Sequence, residues 1–363
     1  MDPLVAVTHP DPYPYYAGLS ASPTLLHDPR LGVWIAASAE AVTAALTSTT
    51  CRVRPPDEPI PTPLRGTAAG ALFGQLMRMN DGPTHDALKR AATDTLDAVV
   101  AAAATEARRW ARALLATPDP RRLPAFAREL SVHVLGSLAG IAPELLPAAV
   151  GWVDDYVTGI GPWPDVARAA AGAAKLLAAA QGPPAFTEAA RDAGCPAGEI
   201  AANRAGFLTQ AYEATAGLVG STLVALARRP ELRSAPVAAL VREAARHDSP
   251  VQNSRRFVAS DAIVAGQAVA RGDTILVVLA AANRDPRVNP DPDRFDASRR
   301  DSRCFTFGVG PHACPGRELA EAIAAAGVAR VLEVGVDLPP SVTYRRSHNT
   351  RLLESLSGAT IGA

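Results

Sequence analysis

The sequence predicts a mainly α-helical protein with a minor β region, and three observations carry that prediction. Hydrophobic residues make up 48% of the chain but aromatics only 5%. The apolar bulk is therefore Ala, Leu and Val, a composition that favours helix over sheet. A single stretch from about Pro196 to Ala227 reads as one helix, with Arg228-Arg229-Pro230 as its stop. At ~1.5 Å per residue it is long enough to span a domain. Runs of β pattern gather in one place, after Asp248-Ser249-Pro250, where a small sheet is expected. A length of 363 residues admits two domains or one large one.

In order along the chain, residues 1–65 are Pro-rich and broken, with short apolar runs such as Leu31–Ala36 as strand pieces. Ser38 is placed to cap a short helix over Ala39–Thr47. The stretch from Arg52 to Pro63 holds five prolines and reads as an ordered surface loop. A helix starts at Asp81–His85 and continues through Arg90, placing His85 and Lys89 four residues apart on one face. From about 96 to 182, Ala/Leu-rich helices alternate with Pro/Gly breaks. Leu123–Gly136 reads as a core helix with His133 as a hydrogen-bonded core residue, and Gly159–Pro164, containing Trp163, as a loop between helices.

The long helix carries a stripe of Gln210, Ala214, Gly217 and Ser221, all small or polar, where a packed helix normally presents larger apolar residues. Such a stripe is expected to let the backbone approach a flat ligand. Glu213 sits beside it in an otherwise apolar span, either turned outward or serving as a proton-delivering acid. Val237–His247 forms a further helix with Glu243 and Arg246 at i, i+3. Short β runs follow, beginning at Arg256, Ile263 and Asp273; a last helix covers roughly Gly316–Gly335, and the tail from Asp337 is extended.

Lys+Arg and Asp+Glu balance at 36 each, giving no general attraction to nucleic acid or anionic membrane. Residues 1–30 lack an apolar signal region, and no window approaches the ~18 apolar residues of a membrane span. Cys51, Cys195, Cys304 and Cys314 form no C-x-x-C pair. The expected setting is soluble, reducing and cytoplasmic, without a membrane anchor. Cys304, His312 and Cys314 lack a fourth ligand at ordinary zinc spacing.

The most distinctive stretch is Phe305-Thr-Phe-Gly-Val-Gly-Pro-His-Ala-Cys-Pro-Gly316. Gly308, Gly310 and Gly316 permit positive φ and close backbone approach, so amide N–H groups can converge on one atom. The helix that follows puts Cys314 near a helix N-terminus, which favours a thiolate. A lone cysteine is otherwise most simply a small buried residue.

Phe307-x-x-Gly310-x-x-x-Cys314-x-Gly316 resembles the haem-binding signature of the cytochrome P-450 family at every defining position. Other segments match in the right order over about residues 30–355. The resemblance implies a single domain over 1–363 with that family's triangular helical prism and long central helix. It implies haem b, with Cys314 as the axial thiolate to the iron and Phe307, Gly308 and Gly316 around it. His85, Lys89, Arg256 and His312 are the implied propionate contacts; Lys89 stands where the family usually has Arg, keeping the charge without the bidentate fork. Arg255 is adjacent to Arg256, so that assignment can slip by one residue. Glu243, Arg246 and Arg294 resemble the buried triad that supports the thiolate loop. The Gly159–Pro164 loop resembles the family's mobile lid, and a chain this short for the family is expected to have trimmed loops.

The implied activity is oxidation of a small organic molecule, in specialised natural-product metabolism, with O₂ and electrons from a ferredoxin or flavodoxin and its reductase. In one place the chain departs from the family's pattern. Glu213 retains the acid, but Ala214 stands where the oxygen-activating threonine is expected, and Thr215 lies about 100° further around the helix. Proton delivery would then use water, a substrate hydroxyl, or Tyr212 or Gln210, or the oxidation is not an ordinary hydroxylation. Two other readings stand beside this one: a peroxide-using or dehydrating haem-thiolate enzyme, and a non-catalytic haem-binding sensor or scaffold.

Overall fold

A computed structural model describes residues 1–357. Near the N-terminus, helix α1 (Tyr13–Ser20) precedes strands β1 (Leu26–Asp28) and β2 (Val33–Ala36). Ser38 accepts a hydrogen bond from the Ala41 amide and starts α2 (Ala39–Thr47) at the predicted residue. After β3 (Cys51–Arg52) and the proline-rich loop, α3 (Ala68–Gln75) leads to α4 (Pro83–Leu114), with Pro83 at its first turn. Then come α5 (Leu123–Leu138), α6 (Leu146–Gly159), α7 (Val166–Ala179), α8 (Pro184–Asp192) and the central α9 (Ala197–Arg228). Helix α10 (Val237–His247) precedes β4 (Ser254–Val258), β5 (Ala262–Val264), β6 (Gln267–Val269) and β7 (Thr274–Val277). Short α11 (Leu279–Ala282), then α12 (Arg317–Glu333) and the hairpin of β8 (Ser341–Tyr344) and β9 (Leu353–Ser357) complete the described chain.

The β runs after Pro250 do not form a sheet of their own. The main sheet has the order β1-β2-β7-β4-β3, with β2 parallel to β7 through Ile35 opposite Leu276, while β5 and β6 form a separate hairpin. Three consecutive apolar residues, Ile275, Leu276 and Val277, are buried on β7. A strand apolar on both faces needs cover on both sides and a neighbour at each edge, and the N-terminal strands supply one edge.

Helix α9 runs through the core, buried over most of its length against α5, α12, α10 and α3. Its small-residue stripe divides in two. Gln210 and Ala214 keep open surface. At Gly217 an added Cβ would come within 2.8 Å of the Pro250 side chain and 2.9 Å of the Arg351 carbonyl oxygen, and Ser221 is buried. The close approach expected for a flat ligand is there made by the protein's own backbone. His133 is buried in α5, its Nδ1 2.8 Å from the Glu129 carbonyl, with its ring against Trp110. No helix among the described residues is long and apolar enough to cross a membrane.

Candidate functional site

The Phe305–Gly316 loop folds back on itself before α12. The Gly308 amide donates to the Phe305 carbonyl at 2.8 Å, Ala313 to Gly310 at 3.0 Å, and Cys314 to Phe307 at 2.7 Å. Gly308 and Gly310 have φ of 68° and 73°, a left-handed conformation costly for other residues. At Gly310 a Cβ would also lie 2.9 Å from Thr47 of α2. Cys314 keeps open surface. Burial pushes the thiol pKa up, while the Gly316 backbone, Lys89 and Arg317 pull it back. Phe307 is half-buried beneath the Arg317 guanidinium, 5.1 Å from its ring centre.

A polar cluster from four segments adjoins this loop. The His85 and His312 rings are 4.1 Å apart, and His312 Nε2 lies 2.9 Å from Asp81 Oδ1. His85 also contacts Asp86 at 3.0 Å; burial first, and then the neighbouring His312, lower its pKa. Lys89 donates to the loop carbonyls of Pro311, at 3.3 Å, and Ala313. On β4 the side chains alternate, so Arg256 is buried and Arg255 exposed. Among the described residues, Arg256 makes one side-chain hydrogen bond, to the Arg255 carbonyl, and no ion pair. Burial lowers its pKa. A buried guanidinium without an anion costs several kcal/mol.

Behind the loop, Arg246 binds Glu243 through two contacts, Nη2 to Oε1 at 2.6 Å and Nε to Oε2 at 3.0 Å, both side chains buried. The third cation differs from expectation. Arg294 is exposed, 3.8 Å from Asp296, and supplies only its carbonyl to Arg246. Arg299 takes the place, its Nε 3.6 Å from Glu243 Oε1. Both arginines follow the same turn, and only its path decides which returns to the glutamate. Two asparagines unnoticed in the sequence tie this cluster to the loop. Asn283 Nδ2 donates to Thr306 at 2.8 Å and its Oδ1 accepts from the Phe305 amide, while Asn289 bridges the Asn283 and Arg303 carbonyls. Asn283 opens an Asn-Arg-Asp-Pro stretch and Asn289 follows it within the next three residues.

On α9, Glu213 Oε2 accepts from Thr350 Oγ1 at 3.0 Å, and Thr350 Oγ1 lies 2.9 Å from Ser347 Oγ. Burial raises the Glu213 pKa against the lowering effect of the Thr350 bond and of Arg345. Ala214 is half-buried beside it. Thr215 is buried with its hydroxyl unpartnered. Tyr212 is buried and donates to Asp154 on α6 at 3.1 Å. Gln210 donates to the Gly206 carbonyl at 3.1 Å.

A sequence profile described as Cytochrome P450 matches residues 237–334, the span from α10 through the thiolate loop to α12. Linalool 8-monooxygenase of Pseudomonas putida is 32% identical over 222 residues, 58% of this chain and 47% of that one. CYP199A2 of Rhodopseudomonas palustris is 36% identical over 161 residues, 41% and 38% respectively. Others match over about a third of their length. In three dimensions, P450BioI in complex with an acyl carrier protein superposes at TM-score 0.81 and 22% identity, covering 95% of this chain and 97% of that one. Epothilone B-bound P450epoK superposes at 0.84 and 18% identity, covering 98% of each. From α10 to α12 the chain matches the model of the cytochrome P450 family, and over its length it has the fold of the cytochromes P450.

Haem b is the cofactor of that family, and the residues present fit it. Cys314 offers a thiol that keeps open surface and is met by the Gly316 backbone. The unpaired buried charge of Arg256, with His85 and His312 nearby, suits the carboxylates of a haem edge.

Proposed function

We propose that the protein is a haem-thiolate monooxygenase acting on a small organic molecule in natural-product metabolism, in the cytoplasm, with electrons from a ferredoxin or flavodoxin. The observation that carries this reading is Cys314, presented with open surface on a folded, glycine-dependent loop. Cys314 ligates the iron; Phe307, Gly308 and Gly316 shape its surroundings; and His85, Lys89, Arg256 and His312 hold the propionates. When bound, the haem supplies the activation of O₂.

This chain's residues bind the substrate, exclude water and deliver protons. Glu213 holds a proton at its carboxyl, favoured by burial. Thr350 and Ser347 hydroxyls connect that carboxyl toward the partly exposed 347–349 turn. Ala214 offers no hydroxyl, so this route from the C-terminal hairpin takes the role for which the neighbouring helix has no group. Tyr212 and Thr215 support α9 rather than donate. An altered proton route also suits oxidations other than hydroxylation, and one structural neighbour is named for C–S bond formation.

The experiment is turnover with a surrogate ferredoxin and reductase, comparing wild type with Glu213→Gln, Ala214→Thr and Thr350→Val. Glu213→Gln and Thr350→Val are expected to divert reducing equivalents to peroxide, and Ala214→Thr to alter the coupling ratio while folding normally. Unchanged coupling in all three would refute the rearranged route.

A further inference from the structure

We propose that Asp154 of α6 is a positioning residue for proton delivery: it holds Tyr212 and Arg345, and through them the two segments that meet at Glu213. The inference rests on the monooxygenase reading and names a residue to which that reading gives no role. Asp154 Oδ1 accepts from the Tyr212 hydroxyl at 3.1 Å and from Arg345 Nη1 at 3.1 Å, while Oδ2 accepts from Arg168 Nη2 of α7 at 2.6 Å. Tyr212 immediately precedes Glu213 on α9. Arg345 opens the turn between β8 and β9, which its own amide closes on the Leu352 carbonyl at 2.8 Å. That turn carries Ser347 and Thr350. One carboxylate oxygen therefore ties the helix bearing Glu213 to the turn bearing its hydrogen-bond partner.

The turn does not need Asp154 for its fold. The Gln252 amide donates to the Asn349 carbonyl, Asn253 Nδ2 to the His348 carbonyl and the Arg351 amide to the Pro250 carbonyl, each at 2.8 Å. On its outer side the Arg346 guanidinium stands 3.8 Å from the centre of the Trp163 ring, and the His348 ring 5.0 Å from it. What Asp154 decides is where Arg345 points. The other bond of that guanidinium, Nη2 to Thr158 Oγ1 at 2.8 Å, is to a neutral hydroxyl. Asp154 is thus its one counter-ion among the described residues. Without that carboxylate, the acid whose field already reaches Arg345 is Glu213. A cation turned toward Glu213 favours the ionised carboxylate, which has no proton to deliver. The other charges that reach Glu213, Arg128 of α5 and Arg78 before α4, are cations as well. Asp154 is the anion that offsets them and keeps the proton on the acid.

The test follows the infrared carbonyl stretch of the protonated Glu213 carboxyl against pH in the haem-loaded protein, the band being identified by its absence in Glu213→Gln. Asp154→Asn is expected to move the loss of that band to lower pH and Arg345→Met to move it to higher pH. The double variant should return it toward the wild-type midpoint. With a surrogate ferredoxin and reductase, Asp154→Asn should divert reducing equivalents to peroxide as Glu213→Gln does, and add nothing when combined with Glu213→Gln. A mere loss of packing would shift both single variants the same way and add to Glu213→Gln. Either of those results, an unmoved band in Asp154→Asn, or no such band in the wild type would overturn the proposal. If Asp154→Asn does not fold, Arg345→Met carries the test, and an unmoved band there overturns the proposal equally. Unchanged coupling in Glu213→Gln would instead sink the proton route of the proposed function, while the infrared midpoints would still decide whether Asp154 governs Glu213.

Discussion

Replacing Glu243 with alanine should loosen the whole support of the thiolate loop. Arg246 is fully buried, and its guanidinium is divided between Glu243 and three carbonyls, those of Asn283, Pro292 and Arg294 at 3.2, 2.9 and 3.1 Å. Glu243 also accepts from the Asp296 amide at 3.0 Å and draws in Arg299. Removing the carboxylate leaves a buried cation with neutral acceptors only, a loss of about 3–5 kcal/mol. At roughly 2 °C per kcal/mol for a chain this long, the melting midpoint should fall by roughly 6–10 °C. Arg246 holds the Asn283 carbonyl, and Asn283 holds Phe305 and Thr306, so haem should also dissociate faster. The assay is urea and thermal unfolding of the single variants and of Glu243→Met/Arg246→Leu, with haem transfer to an acceptor globin. The double variant should recover much of the stability, because an apolar pair leaves no unpaired charge. A loss below about 1 kcal/mol in Glu243→Ala, or a double variant as weak as the sum of the singles, would refute this reasoning.

Three other perturbations follow from the same geometry. His247 is buried, its Nε2 donating to the Asp293 carbonyl while Nδ1 accepts from Arg284, and its pKa is held down to about 3, first by burial and then by Arg284. A lowered folded-state value means the unfolded chain takes up the proton first. Stability should therefore fall as pH drops below about 6.5, by about 2 kcal/mol at pH 5, and His247→Gln should flatten that limb in pH-dependent unfolding. Thr350→Val removes the hydrogen bond that lowers the Glu213 pKa, so any Glu213-dependent limb of the rate profile should move to higher pH; an unmoved limb would count against the contact. Gly310→Ala meets both the positive φ and Thr47 and should cost about 1–3 kcal/mol in unfolding, with Gly335→Ala as the control for φ alone.

Much of this was legible in the sequence because the signals are local. The Ser38 cap, the stop of α9 at Arg228–Pro230 and the glycines around Cys314 act within a few residues of themselves. Contacts between distant segments were less visible. Arg294 and Arg299 lie in one turn and carry the same charge, so only the folded path shows that Arg299 reaches Glu243. The small-residue stripe of α9 announced a close approach without saying by what, and at Gly217 the answer is Pro250 and Arg351. Thr350 meets Glu213 across 137 positions, and no spacing rule reaches that far.

The central claim is that Cys314 ligates a haem iron as a thiolate, and the carbon monoxide spectrum of the dithionite-reduced protein tests it most directly. The account predicts the long-wavelength Soret band of thiolate ligation in the wild type, its loss in Cys314→Ser, and its retention in Cys304→Ser. A wild-type band at the shorter wavelength of imidazole ligation, or a thiolate band surviving Cys314→Ser, would contradict it.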